Sequence, residues 1–559
     1  VTHHIRWQIL LILLGVVLVG ILLAYLAINY TTVLRPGDGG TYVEGIAGFP
    51  HYLNPLLATP GDVDSDVCAL LFSSLTRLNA YGEVEPDLAQ WDEPTLDGLT
   101  YTFHLRRDAY WHDGVPVTAD DVVFTISLLQ NPSFQGPPEL GASVWRTVTV
   151  QKLNNLTVRF TLAEPYAPFL DYTTFGILPA HLLEGTSAAD LPTATFNLQP
   201  IGSGPFQLEG IDIEDGIVTS MVLKPFARYY GSRAHLDRVQ FLFYPSYQTA
   251  LNAYEEGKVK GVSRIPADEL PRASALPSLN LFSAQTAEYG IVFLNLNRDD
   301  LSFFKETEVR QALLYALNRQ QIIDDILGGQ ALIADSPMIP GTWAHYDDIP
   351  RYEYDPKKAE TLLNEAGWRT SSQKNPVRRK EGKLLSFTLL TSSEPERLGV
   401  AQMLAEQWAA VGAQVTVEAA SPVEVREALE SRNFDAILVH MAVPGDPDPY
   451  PLWHQEQIDG GQNYASFNHR HISEIIEQAR ITTDRETRRQ LYYEFQEIFA
   501  QEVPSLLLYV PVYTYGVDEG IHAVQVGPLV YPSDRFRTIP DWWIVPRRVF
   551  VSESEATNP

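Results

Sequence analysis

The sequence predicts an α/β protein with α+β portions: an α+β first half and an α/β second half, preceded by one membrane-spanning helix. Three observations carry that fold class. Short β-type runs alternate with turns up to about residue 240. Beyond about residue 290, helices with 3.6-residue apolar spacing dominate and alternate with strands. An uncharged run from Ile9 to Ile28 supplies about the 20 residues that a bilayer span needs.

The apolar run follows His3, His4 and Arg6, ends without an A-x-A cleavage pattern and has no Cys after it for lipid attachment. It is therefore expected to remain as an anchor, and Arg6 on its short side places residues after about 31 outside the cytoplasm. The next segment, Thr31 to Gly40, is polar and Gly-rich and reads as a tether. Strands are expected at Thr100 to Leu105, Leu156 to Leu162 and Val239 to Tyr244. Among them, Thr118 and Asp121 form a capping pattern for a helix carrying Val122, Val123, Ile126 and Leu129 on one face, stopped at Asn131-Pro132.

In the second half, Val309, Ala312, Leu313, Ala316, Leu317, Ile323 and Leu327 predict one apolar helical face running to Gly328-Gly329. A second helix has Asp355 as N-cap, Pro356 at its first position and Gly367 at its end. A third carries Leu398, Ala401, Leu404, Ala405, Trp408 and Val411 before Gly412. Strands are expected from Gln414 to Glu418 and from Phe434 to Val439, while Thr370 to Lys383 reads as a charged surface loop.

The 559 residues are 45% hydrophobic and 11% aromatic, enough for a large core divided among several domains. Lys and Arg number 41 against 69 Asp and Glu, a net charge of -28 without an extended basic run, which excludes nucleic acid as the partner. The single cysteine, Cys68, permits neither a disulfide framework nor a thiolate zinc site and reads as a core hydrophobe. Phosphate-loop, zinc-helix and nucleophile-elbow motifs are missing, and Gly202-Ser203-Gly204 has the wrong spacing for the last. Asp62, Asp64 and Asp66 begin like a calcium loop, but Val67 and Ser73 occupy the positions that need Gly and Glu. His469 and His471 flank Arg470, which repels a cation, so they read as surface residues. No catalytic residue, metal ligand or cofactor is assigned; a carboxylate pair for hydrolysis has no local pattern to nominate it among the 69 acids.

Several stretches form a series in order along residues 40 to 515: Leu53-Asn54-Pro55 with Leu75-Thr76 and Glu85 to Ala89, the segment Trp111 to Val122, and Pro200 to Phe206. Phe293 to Asn297, Val309 to Leu313, Ala316 to Arg319, Tyr354 to Ala359 and Glu365 to Trp368 continue the series. Gly445 to Tyr450, Leu452 to His454 and Asn463-Tyr464 close it. In that order they resemble the extracytoplasmic solute-binding proteins of ABC transporters, in the large family 5 of oligopeptide-, dipeptide- and nickel-binding type.

That resemblance implies a two-lobed fold of periplasmic-binding-protein type (type II, three domains) that closes by hinge motion. The expected division is residues 1–30 for the cytoplasmic start and anchor, 31–40 for a linker, and 41–53, 200–288 and 515–559 for lobe I. Residues 54–199 form an inserted domain and 289–514 form lobe II. The resemblance implies capture of oligopeptides by a membrane-tethered, monomeric subunit that delivers them to separate permease and ATPase subunits. Nickel chelate, haem or oligosaccharide are alternative cargo, and a ligand-binding receptor for a sensory partner is the alternative role. The implied ligand-binding residues are Asp446 or Asp448, set against a ligand α-amino group, with Trp453, His454, Asn463 and Tyr464. Gly202 and Gly204 are expected at a tight backbone crossing between lobes.

Overall fold

Ser505–Asp518 is long enough to belong to two lobes at once. Its first half pairs antiparallel with Glu288–Leu294, matching Ser505 to Phe293 and Tyr509 to Gly290. Its second half pairs with Leu279–Gln285, matching Val512 to Gln285 and Asp518 to Leu279. Pro511 sits where the partner changes, and its carbonyl accepts from the Thr286 N–H at 3.0 Å. The chain thus crosses between lobes twice, near residues 285–288 and 509–512.

The structure, a computed structural model, describes residues 32–550 except 60, 62, 80, 138, 139, 373, 374 and 444, together with 7, 13–23 and 25. On the second-lobe side the sheet continues through Ala436–Ala442, Ser386–Ser392 and Gln414–Ala420. On the first-lobe side it runs through Gly261–Val262, Thr41–Ala47, Arg238–Tyr244, Ile217–Pro225 and Phe206–Glu214. A separate four-stranded sheet, Ala89–Trp91, Thr100–Leu105, Thr157–Thr161 and Thr149–Asn154, lies between the first two pieces of the first lobe in sequence. Trp145, Phe160 and Phe169 pack edge-on beneath it.

Capping logic holds at several predicted ends. The Asp121 carboxylate accepts from the Thr118 N–H at 2.8 Å and from the Ala180 N–H at 2.9 Å, so one side chain starts Ala119–Gln130 and docks the short helix Ala180–Leu183. Asp355 accepts from the Lys358 N–H at 2.9 Å and starts Pro356–Glu365. Asp64 and Asp66 lie in the helix Val63–Leu71. Asp64 accepts from the backbone of His51 and Tyr52, and Asp66 pairs with Arg535. Burial holds the Cys68 thiol well above its ordinary pKa.

Three expectations are corrected. The single helix across 309–327 is two, Thr307–Tyr315 and Arg319–Asp325, because Asn318 leaves helical geometry to cap the second through the Gln321 N–H. The charged loop after Thr370 holds the strands Arg369–Ser372 and Asn375–Lys380. Arg378 is buried there, donating to the carbonyls of Val411 and Trp368 at 2.6 and 2.8 Å. The tether reads wrongly as well: Thr32–Gly37 pairs antiparallel with Val545–Phe550, Thr32 opposite Phe550 and Gly37 opposite Val545. Its turn-forming residues had hidden a partner more than 500 residues away.

The anchor segment lies largely outside the described residues. Those described at 13–23 are helical and exposed, and no helix among the described residues is long and apolar enough to cross a membrane.

A buried ion network fastens the last part of the chain to the first lobe. Arg535, with no exposed surface, donates to Asp66 through both terminal nitrogens at 2.7 Å and to Glu44 at 2.7 and 3.1 Å. Tyr42 and Tyr515 donate to the same Glu44 carboxylate at 2.8 and 2.6 Å. Every member is hydrogen-bonded, the condition under which buried charge is tolerated.

Candidate functional site: the cleft and seam between the lobes

A small cleft opens where the crossing strands change partners. Gln285, Thr286 and Ala287 form its floor, Ile339 and Thr342 line one wall, and Val443, Gly445 and Pro447 line another. Tyr81, Gly82, Gly341, Pro528, Leu529 and Val530 complete it. The floor is fixed by backbone pairing: Ala287 donates to Leu529, Leu529 to Gln285 and Val443 to Ala287.

Beside the cleft, the insert of sequence that carries Glu83, Tyr166 and Asp171 meets the second lobe in a charged seam. Asp446 is held bidentately by Arg488, whose Nη2 also donates to the Tyr492 hydroxyl at 2.6 Å. Asp448 faces Arg480 at 3.2 Å and accepts from the Tyr450 N–H at 3.1 Å. The Arg480 guanidinium lies over Tyr450 of the second lobe at 4.1 Å and Tyr166 of the insert at 4.9 Å, bridging the two by cation–π contact. At the rim, Arg485 donates to Glu83 at 2.6 Å.

The insert contributes one further acid, Asp171. Its Oδ1 is buried without a hydrogen-bond partner among the described residues. Gly445 permits the approach, since a Cβ there would lie 2.7 Å from that oxygen. Burial raises the Asp171 pKa well above the usual carboxylate range, the neighbouring Asp446 charge adds to the shift, and Arg488 opposes it. Three acids, Asp171, Asp446 and Asp448, thus share two guanidinium groups.

Asp446, expected to face a ligand amine, has both carboxylate oxygens in contact with Arg488. Asp448 is likewise engaged by Arg480. Trp453 is 1% exposed and packs against Phe293 and Phe499 inside the second lobe. His454 is buried and stacked on Tyr450; its Nδ1 accepts from the Glu456 N–H, leaving Nε2 to donate to Glu477 at 2.7 Å. Asn463 spends its whole amide on the backbone of His454 and Phe467. Tyr464 packs edge-on against Phe293 at 5.6 Å. The structure therefore brings Asp446 and Asp448 to the seam and leaves the other four inside or against the second lobe.

Gly202 and Gly204 do make a close backbone crossing, but at the return from the insert to the first lobe. A Cβ on Gly202 would lie 1.8 Å from the Leu71 carbonyl oxygen, and Gly204 donates to that same oxygen at 2.8 Å. His112 locks the turn, accepting from the Gly202 N–H at Nδ1 and facing the Gly204 carbonyl with Nε2. Burial pushes the His112 pKa down to about 4, so the ring is neutral at physiological pH.

Sequence reasoning missed Arg480, Arg485 and Arg488, although their clustering around two helix boundaries was a charge signal. It also missed Asp171, for which no local pattern exists.

Residues 83–462 match the family model described as bacterial extracellular solute-binding proteins, family 5 Middle. The chain is 29% identical over 520 residues to the oligopeptide-binding protein AppA of Bacillus subtilis, covering 91% of this chain and 92% of that protein. It is 28% identical to the dipeptide-binding protein of Escherichia coli over 88% of this chain and 92% of that one. Among solved structures, AppA of Bacillus subtilis in complex with a nonapeptide superposes with a TM-score of 0.71 at 28% identity, over 91% of this chain and all of that one. NikZ of Campylobacter jejuni in complex with Ni(L-His) gives 0.71 at 27% identity, over 90% and 99%. With more than half its length matched to that model, and with two lobes sharing crossing strands around a cleft, the chain belongs to the bacterial extracellular solute-binding proteins of family 5.

Proposed function

We propose that this chain is the substrate-capturing subunit of an ABC importer for peptides or a related small solute, working outside the cytoplasm. The observation that carries the reading is the cleft itself. It lies on the two segments through which the lobes are joined, so hinge motion there opens and closes it. Enclosure gives affinity without requiring a reaction, which suits a cleft of this position. Relatives named for oligopeptide and dipeptide binding, and a structure holding Ni(L-His), support small-solute capture.

The apolar run from Ile9 to Ile28 supports retention at the membrane surface beside the permease, with solute handed on to separate permease and ATPase subunits. Asp446 and Asp448 act by setting the seam, and Trp453, His454, Asn463 and Tyr464 hold the wall that carries them. Native mass spectrometry of the full chain, followed by denaturation, tests the reading: an intact small solute is expected to be released. Hydrolysed peptide appearing with time, in place of intact ligand, would overturn it.

A further inference from the structure

The seam beside the cleft is built unlike the ion network that fastens the last part of the chain to the first lobe. Around Arg535 every charged group is paired and hydrogen-bonded. At the seam, Asp171 Oδ1, Asp448 Oδ2, Arg480 Nε and Arg488 Nε are all buried without a hydrogen-bond partner among the described residues. Asp448 Oδ2 and Arg480 Nε stand 3.2 Å apart but out of alignment. Burying such groups has a free-energy cost that hydration removes when the two sides part, so this contact is suited to break and reform.

Charge is also left over. Of three acids and two guanidiniums, Arg488 takes Asp446 and Arg480 takes Asp448, while Asp171 on Ala167–Thr173 has no guanidinium to itself. Asp446 and Asp448 face it from the acidic stretch, Arg480 from Arg470–Ile481, and Arg488 from Arg485–Glu502. Glu83 and Arg485 close the rim on each other. Tyr166 and Tyr172 of the insert, Tyr492 beside Arg488, and Tyr101 on Thr100–Leu105 complete the surroundings. Burial raises all four hydroxyls above their ordinary pKa, so they stay neutral while the guanidiniums stay charged. The carboxylate that the closed seam leaves uncompensated is that of Asp171, and parting returns it to water.

We infer that the seam is a proton-linked latch: the insert and the second lobe close on each other with a proton on the Asp171 carboxyl group and release it when they part. A ligand held more tightly by one state shifts the equilibrium toward that state, and here the ligand is the proton. Closure is therefore favoured as pH falls and is lost as pH rises through the raised Asp171 value. The inference rests on the hinge-closing, solute-capturing reading and adds the control of its closing step.

Dyes attached through Gln151→Cys in the insert and Glu418→Cys in the second lobe, both exposed positions, report the separation by single-molecule energy transfer in the full chain in detergent; the native Cys68 is buried. The closed-to-open ratio is expected to rise severalfold, up to the one-proton limit of about tenfold, for each unit the pH falls through the raised value between 8 and 5. Asp171→Asn, a neutral stand-in for the protonated acid, is expected to keep the high closed ratio at every pH. A parent ratio independent of pH, or an Asp171→Asn protein with the parent's slope, overturns the inference and leaves the hinge reading standing. A single separation throughout that range overturns both. Should Asp171→Asn not fold, Asp171→Ser takes its place with the same expected and opposing results.

Discussion

Replacing Arg488 with Met asks whether the seam is held by its ion pairs. Arg488 is 6% exposed at its side chain, grips both oxygens of Asp446 and donates to Tyr492. Methionine keeps the apolar stem but removes the charge and the donors to Asp446 and Tyr492. Asp446, Asp448 and Asp171 are then left with Arg480 alone. Breaking a buried pair from one side costs about 3–5 kcal/mol, because the surviving charge stays buried without compensation. The assay is urea unfolding of the full chain at pH 7, following the transition that reports the junction of insert and second lobe. Arg488→Met with Asp446→Leu removes both charges and is expected to recover most of the loss, to within about 1 kcal/mol of the parent. A single variant that unfolds within about 1 kcal/mol of the parent would refute the reasoning, since the seam would then be wet enough to solvate Asp446.

Three further outcomes are expected. Asp171→Asn removes an acid whose folded-state pKa is raised; ionising such a group opposes folding as pH climbs from the ordinary carboxylate value through the raised one. The variant should therefore melt higher than the parent near pH 7, with the advantage vanishing as pH falls toward 4, measured by scanning calorimetry. Gly202→Ala drives a Cβ into the Leu71 carbonyl and should cost about 3 kcal/mol, read as a lower urea midpoint. Trp453→Ala empties a core position and should cost about 3–5 kcal/mol, read as a lower urea midpoint.

Local rules made much of the fold legible. Asp355-Pro356 and Thr118 with Asp121 announced helix starts because a cap is satisfied within four residues, and Gly367 and Gly412 adopt the positive φ that their helix ends require. The helix break at Asn318 was hidden because apolar spacing continues through it, and only the Asn side chain's competition for the backbone reveals it. At the site, the acidic Gly445-to-Tyr450 stretch stood out, but its arginine partners lie on helices further along, and Asp171 lies 275 positions before Asp446. Pairing across such separations is set by how lobes dock, which no window of sequence contains. Trp453 and Asn463 carried a binding signal by resemblance while their contacts are those of a packed wall.

The terminal ribbon has a mechanical consequence. Thr32 lies opposite Phe550, Gly37 lies opposite Val545, Asp38 pairs with His235 and Gly40 is hydrogen-bonded to Asp237, so residues 32 and 550 lie at one corner of the first lobe. The ion network around Arg535 bolts the same corner to Glu44 and Asp66. A pull applied at residue 32 or 550 is thus borne by the first lobe. Under the hinge motion proposed above, the first lobe is the braced jaw and the second, which the chain enters and leaves near residues 285–288 and 509–512, is the one that swings once the seam parts.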